Sequence, residues 1–290
     1  MQIAVLYQDA VQQLVQAGVD EAQADAAQLL EFFFGFTRSQ LILQGGIDVD
    51  ENQAASFRKV LNRRIAREPL QYITGSREFW SLDFIVSPAV LIPRPETEFL
   101  LDWLLSALAK NGMQPRKVLD MCTGSGVIAV VLARELTADI ILAVDHSRAA
   151  LQIAARNVVR HTNGQQINLV CSDLFSALKE SVSFELIVAN PPYIDEDDLA
   201  GLDPEVREWE PESALISGFR GLDIIKKIAE HAPFYLKSGG WLCIEIGADQ
   251  GDAVYSLFVD HEIGVYEHVE VIKDWSDRPR VLIARKRKSA

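Results

Sequence analysis

The chain has 290 residues, 49% apolar and 24% charged, with a formal net charge of −13. That length allows one large domain or two, and the acid excess disfavours a surface built to grip phosphates, which needs a basic stripe. No apolar run approaches the ~20 residues of a membrane span, and Met1-Gln2-Ile3-Ala4-Val5 lacks a basic segment leading into an apolar one and a cleavage site.

Residues up to about Arg67 read as helical. Ala10, Leu14 and Ala17, then Ala22, Ala26, Leu29, Leu30 and Phe33, recur at helical spacing. Asp20 is the expected N-cap of the second run, and Gly18 and Gly35 punctuate. A further helix is expected from Glu51 to Ala66, with Phe32-Phe33-Phe34 packing between short helices. The basic run Arg63-Arg64 with Arg67, and the tail Arg285-Lys286-Arg287-Lys288, read as a solvated face and a frayed terminus. These spans define a helical domain, residues 1–73.

Residues 74–95 form a linker. Within it Glu78-Phe79-Trp80-Ser81-Leu82-Asp83-Phe84-Ile85-Val86 reads as a hairpin. Ile92-Pro93-Arg94-Pro95-Glu96-Thr97-Glu98 then opens a helix, for which Pro95 and the acids suit the first turn.

From residue 96 to 290 strands and helices alternate. Strands are expected at Lys117–Asp120, Ile140–Asp145, Ile167–Ser172, Phe184–Ala189, Trp241–Ile246, Val265–Ile272 and Arg280–Ala284, with helices between the earlier ones. This pattern is that of an α/β, doubly wound, mainly parallel seven-stranded sheet. Cys122, Cys171 and Cys243 are far apart, with no Cys-x-x-Cys pair, and lie in or beside expected core strands. Buried free thiols in a reducing cytoplasm are expected. The scattered histidines give no metal-ligand spacing, so no metal is expected.

Strand ends carry the chemistry in such sheets. The first runs into Asp120-Met121-Cys122-Thr123-Gly124-Ser125-Gly126, a turn whose glycines let backbone approach a ligand. It is not Gly-x-Gly-x-x-Gly, which disfavours a dinucleotide. The second ends at Asp145, where an acid accepts bonds from ribose hydroxyls. The third ends at Ser172-Asp173, where the carboxylate takes an adenine amine or caps a helix starting at Leu174. Three converging acids would repel a pyrophosphate and suit a positive sulfonium, which selects S-adenosyl-L-methionine over a nicotinamide cofactor.

Phe184–Ala189 ends in Asn190-Pro191-Pro192-Tyr193. Two prolines fix the backbone and remove two N–H donors. The loop presents a side-chain carbonyl, main-chain carbonyls and an aromatic face. Those groups hold a planar NH2 by its two hydrogens. Accepting both, at the Asn190 side chain and the Pro191 carbonyl, favours a pyramidal nitrogen whose lone pair faces a methyl donor. Tyr193 is expected to cover the planar group, and catalysis to be alignment plus electrostatics.

Together these residues resemble the class I S-adenosylmethionine-dependent methyltransferases of Rossmann-like fold. The more specific likeness is to the protein-(glutamine-N5) methyltransferases of peptide-chain release factors, the PrmC/HemK family. It covers nearly the whole chain. Asn190–Tyr193 is shared with adenine-N6 methyltransferases. Arg77-Glu78-Phe79-Trp80-Ser81 and Ile92–Glu98 resemble this family's hairpin and domain junction. The resemblance implies that the acceptor is the glutamine of the Gly-Gly-Gln motif in bacterial release factors, that the helical domain binds that protein substrate, and that a monomer acts without nucleic acid or membrane. It also implies cofactor contacts at Asp120, Cys122, Thr123, Gly124, Ser125, Gly126, Asp145, Asp173, Leu174 and Asn190. Asn190, Pro191, Pro192 and Tyr193 would hold the glutamine, with Asn190, Pro191 and Tyr193 catalytic. Two positions depart: Cys122 stands where the family has glycine, and Leu174 where a relative has an aromatic. The rival reading is an adenine-N6 methyltransferase acting on nucleic acid, against which the net acidity speaks.

Overall fold

A computed structural model of the chain describes residues 2–35, 40, 46–163, 166–259 and 264–288. It divides into two compact units: residues 1–76 with 203–209, and residues 77–202 with 210–290.

The first unit holds α1 (Ile3–Gln16), α2 (Ala22–Phe34), α3 (Glu51–Ile65), α4 (Leu70–Thr74) and the short helix Pro204–Trp209. Its core is the apolar stripe of each helix: Leu6, Ala10 and Leu14, Ala26, Leu29 and Leu30, and Phe57 and Leu61, all fully buried. Phe33 and Phe34 pack on Phe57, with ring centroids 5.9 and 5.7 Å away, while Phe32 is 51% exposed. Asp50 caps α3 by accepting the N–H groups of Asn52 and Gln53. Asp20 does not cap α2. The cap position is Glu21 and makes no side-chain bond.

Within the basic run Arg64 and Arg67 are not on a solvated face, while Arg63 is. Arg64 is buried, donating from Nε to Asp25 (2.6 Å) and from Nη2 to Glu205 (2.8 Å). Arg67 forks onto both oxygens of Glu205, and Arg63 pairs with Glu68. The acids on Arg64 and Arg67, Asp25 and Glu205, are distant in sequence, so spacing does not reveal those pairings.

The second unit is built on the sheet order β5-β4-β3-β6-β7-β9-β8. The strands are β3 (Lys117–Met121), β4 (Ile140–Asp145), β5 (Ile167–Cys171), β6 (Phe184–Ala189), β7 (Leu236–Glu245), β8 (Tyr266–Lys273) and β9 (Pro279–Lys286). β9 runs antiparallel to both β7 and β8, opposite to the other six strands. A hairpin, β1 (Ser76–Phe79) with β2 (Leu82–Ile85), precedes them. The helices are α5 (Pro95–Lys110), α6 (Val127–Glu135), α7 (Arg148–His161), Pro204–Trp209 (α8 in chain order, in the first unit), α9 (Asp223–Tyr235) and α10 (Gly251–Val259).

Successive strand residues point to opposite faces. Val118, Leu186 and Val188 enter one core with Leu100 and Leu101 of α5 and Val130 of α6. Leu119, Ile187 and Ala189 enter the other with Ile228 of α9. Strands buried on both faces read as continuous apolar runs, which is why periodicity found them.

Four features of the second unit differ from the sequence-based expectation. No helix forms at Leu174; turns follow β5, and Ser172 Oγ accepts the Ala177 N–H. β7 starts at Leu236, ahead of Trp241, pairing there with Phe184 of β6 before a bulge through Gly239-Gly240 resumes the ladder at Trp241. Arg285 and Lys286 belong to β9, where Lys286 Nζ donates to the carbonyls of Pro233 and Leu236. Cys171 is exposed, and its thiol donates to the His146 carbonyl. Among the described residues no helix is long and apolar enough to cross a membrane.

β3 has β4 on one side and β6 on the other, with Met121 paired to both Val144 and Ala189. Chain order reverses there. A crevice therefore opens beyond the carboxyl ends of these strands.

Candidate active site

That crevice is lined by Cys122, Thr123, Gly124 and Ser125 after β3, Asp145 at the end of β4, and Asn190 and Pro192 after β6. Val90, Leu91, Pro93 and Thr97 form a further wall, with Pro211 and Ala214. The segment read from sequence as a linker and helix start is thus part of the site. Buried Glu210 holds it there, accepting from Arg94 (2.5 Å) and from the Ile92 N–H (3.3 Å). Asn157, also buried, ties the hairpin to the crevice loop: its amide donates to the carbonyls of Ile85 and Ser125 and accepts the Ile85 N–H.

The loop after β3 is shaped by its own side chains. Gly126 has φ +83°, and a Cβ there would lie 3.2 Å from Ala154 Cβ. A side chain would be strained by both conformation and crowding. Cys122 has φ +62° without the freedom of glycine. Its thiol is driven upward in pKa by burial, then by the charges of Asp145, Asp120 and Asp173, so it stays neutral. The three acids expected at strand ends thus do act on one point.

They do so from different positions. Asp120 is 0% exposed and does not line the crevice. One of its oxygens accepts from the Thr123 hydroxyl and the Ala129 N–H (3.1 Å), bracing the loop against α6. Its other oxygen, Oδ1, is buried without a partner. Desolvation raises its pKa to about 7. Asp145 lines the crevice, accepting the Gly124 N–H at Oδ2 and the Ser147 N–H at Oδ1, both at 2.8 Å. Each oxygen keeps a second lone pair. Asp173 is exposed, and Leu174, with φ +46°, packs on the sheet core; neither lines the crevice.

The loop after β6 is held as firmly. Ile194 exchanges backbone bonds with Leu215 and Ser217. Gln250 donates to the Tyr193 carbonyl at 2.8 Å, and Gly221 lies so close to that carbonyl that a Cβ would sit 1.9 Å from it. Pro191 is buried behind the crevice, and Pro192 supplies its apolar surface. Tyr193 is not in the lining. Its ring turns the hydroxyl toward Glu245 (3.4 Å), so the expected aromatic cover over a bound planar group is not seen. Asn190 donates from Nδ2 to Thr97 Oγ1 at 3.0 Å.

Thr97 and Glu245 had no role in the sequence reading. Thr97 Oγ1 donates to Glu245 Oε2 at 2.7 Å, and both residues are buried. The available signal was a lone carboxylate in the apolar run Trp241-Leu242-Cys243-Ile244-Glu245-Ile246. Burial raises the Glu245 pKa to about 7, with Arg280 lowering it and Glu96 raising it.

The residues present fit S-adenosylmethionine. Glycine backbone opens the wall at Gly124, Asp145 offers free lone pairs, and the acids around Cys122 make the field there negative.

Comparison with known proteins agrees. The PrmC N-terminal domain family matches residues 6–75, and the methyltransferase small domain family matches residues 97–201. A release factor glutamine methyltransferase of Koribacter versatilis (strain Ellin345) is 37% identical over 290 residues, covering 99% of each chain. One of Escherichia coli (strain K12) is 40% identical over 266 residues, 92% of this chain and 93% of the relative. Two solved structures share the fold. A T. thermophilus 16S rRNA methyltransferase in complex with AdoMet and guanosine matches with TM-score 0.53 and 20% identity over 73% of this chain and 50% of the other. A Pyrococcus furiosus methyltransferase matches with TM-score 0.52 and 18% identity over 82% of this chain and 100% of the other.

Proposed function

The chain belongs to the release factor glutamine methyltransferases, and from that premise we propose how its crevice works. The enzyme transfers a methyl group from S-adenosyl-L-methionine to the side-chain amide nitrogen (N5) of the glutamine in the Gly-Gly-Gln motif of release factors. When bound, the cofactor supplies an electrophilic methyl on a positive sulfonium. Cys122–Gly126 and Asp145 are the residues that would hold it, with Asp145 accepting from ribose hydroxyls.

The chain's own part is to place the amide. Asn190 Oδ1 accepts one N–H of the glutamine and the Pro191 carbonyl accepts the other. An amide nitrogen is a poor nucleophile because its lone pair is delocalised. Two acceptors in fixed positions reward the pyramidal geometry in which that lone pair is localised. Pro192 gives the apolar surface against which the amide lies. No titrating base is required, since the proton can leave after the methyl has moved. The observation that carries this reading is the rigid Asn190 loop beside the Cys122–Gly126 turn, on paired strands.

The helical unit supplies release-factor binding, a role supported by its match to the PrmC N-terminal domain. Its basic run is neutralised internally by Asp25, Glu68 and Glu205, which supports a protein substrate over nucleic acid. The reaction is cytoplasmic, where release factors act, and the enzyme acts as a monomer. The test is the acceptor. Purified release factor should take up labelled methyl, and a variant with the Gly-Gly-Gln glutamine replaced should take up none. Equal labelling of both, or preferential labelling of RNA or DNA adenine, refutes the reading.

A further inference from the structure

A side-chain amide has two ends of similar shape and opposite chemistry. Asn190 works as an acceptor only if Oδ1 faces the substrate, and if its amide flips it offers a donor to a donor. The loop backbone does not choose between these states, because a rotation about χ2 leaves it unchanged. Something beyond the loop must set the choice.

We propose that Thr97 and Glu245 are positioning residues that hold the Asn190 amide in its productive orientation. Glu245 lies at the end of β7, fully buried, and when ionised, above about pH 7, it only accepts. Tyr193 faces its Oε1 and Thr97 its Oε2. The Thr97 hydroxyl has one hydrogen, and Glu245 takes it at 2.7 Å. What Thr97 can then offer Asn190, 3.0 Å away, is a lone pair. Asn190 must answer with Nδ2, and Oδ1 is left for the substrate. With the threonine 2% exposed, no bulk water stands in for either partner.

The junction motif thereby gains a chemical part. Pro95 starts α5, Arg94 fixes its approach through Glu210, and Thr97 enters the crevice on the first turn. Glu96 and Arg280 are the other charged groups that act on Glu245, with opposite sign.

This inference rests on Asn190 being the acceptor of the glutamine amide, so the experiment separates the two. Turnover on release factor, cofactor affinity by calorimetry and the side-chain amide resonances of 15N-labelled Asn190 are measured in wild type, Asn190→Ala, Thr97→Val and Thr97→Ser. Thr97→Val keeps shape and removes the hydroxyl. It should lower kcat at least tenfold, leave cofactor affinity within twofold and shift the Asn190 amide signals. Thr97→Ser, which keeps the hydroxyl, should restore kcat to within about threefold and return the signals. Where Thr97→Val does not fold, Thr97→Ala carries the same expectation. Glu245→Ala frees the threonine hydroxyl to turn to Asn190 and should match the loss. The double variant Thr97→Val/Glu245→Ala should lose no more than either alone, because the residues act in series. Wild-type kcat in Thr97→Val, equal impairment of the serine and valine variants, or additive losses overturn the relay. Wild-type turnover in Asn190→Ala overturns the underlying acceptor reading instead.

Discussion

The two halves of the crevice carry buried acids in parallel roles, Asp120 near the end of β3 and Glu245 at the end of β7. Both are 0% exposed, both have pKa values raised by desolvation to about 7, and both accept a threonine hydroxyl. They differ in what lies beyond the threonine. Thr123 folds back within the same turn, and Asp120 also accepts the Ala129 N–H, so that acid braces backbone on the cofactor side. Thr97 comes from a helix distant in sequence and passes its polarity to Asn190 on the glutamine side. A buried acid ending in backbone governs shape, and one ending in a side-chain amide governs chemistry. Perturbing the first should move binding and stability, and perturbing the second should move turnover.

The largest expected effect lies on the glutamine side. Asn190→Ala should lower turnover by about 10²–10³, the usual scale for one preorganised transition-state partner, with fold and cofactor affinity little changed. Parallel kinetics and calorimetry decide this, and a loss confined to affinity would erase the contrast between the halves.

Next comes Asp120→Asn. An acid with raised pKa binds its proton more tightly in the folded state. The folded state therefore holds more protons between the ordinary range near 4 and about 7, and this group makes stability fall as pH rises across that window. The variant removes the buried charge. It should be more stable than wild type by roughly 1–3 kcal/mol at pH 8, with the difference vanishing near pH 4. Denaturant unfolding at several pH values reads this, and a difference independent of pH would mean that Asp120 does not titrate there.

Asp145→Ala should weaken cofactor binding by about 1.5–3 kcal/mol while the methyl-transfer rate of the saturated enzyme changes less. Since Asp145 also holds Gly124 and Ser147, unchanged affinity would reduce it to a loop brace like Asp120.

The smallest effect is at Cys122. Its left-handed backbone costs a side-chain-bearing residue ~1–2 kcal/mol, partly offset in glycine by the ~0.5–1 kcal/mol of extra chain entropy lost on folding. Cys122→Gly should thus be neutral to slightly stabilising, with cofactor affinity unreduced. An affinity loss beyond tenfold in calorimetry would give the thiol a positive role.

Much of this protein was legible in one dimension because the signals are local. Apolar runs marked the strands from Lys117 to Ala284, most clearly the central ones buried on both faces, and a Gly-rich turn and an Asn-Pro-Pro-Tyr loop at strand ends marked the crevice. Where local chemistry had two readings, the sequence did not choose between them. Asp173 reads equally as ligand or helix cap, and it is neither in the crevice lining nor at a helix start. Arg64 reads as solvated until Asp25 and Glu205 are brought to it.

The sequence by itself determined the sheet, the two loops and the type of chemistry, since each depends on residues within a few positions of one another. The tertiary structure alone decided which acids face the crevice and which stand behind it, that the junction segment is a wall, and that Thr97 and Glu245 meet Asn190. Thr97 meets Glu245 148 positions away and Asn190 93 positions away. A buried carboxylate, a hydroxyl and an amide acquire a direction only when they are within hydrogen-bond reach, and packing at the carboxyl ends of the strands is what brings them there.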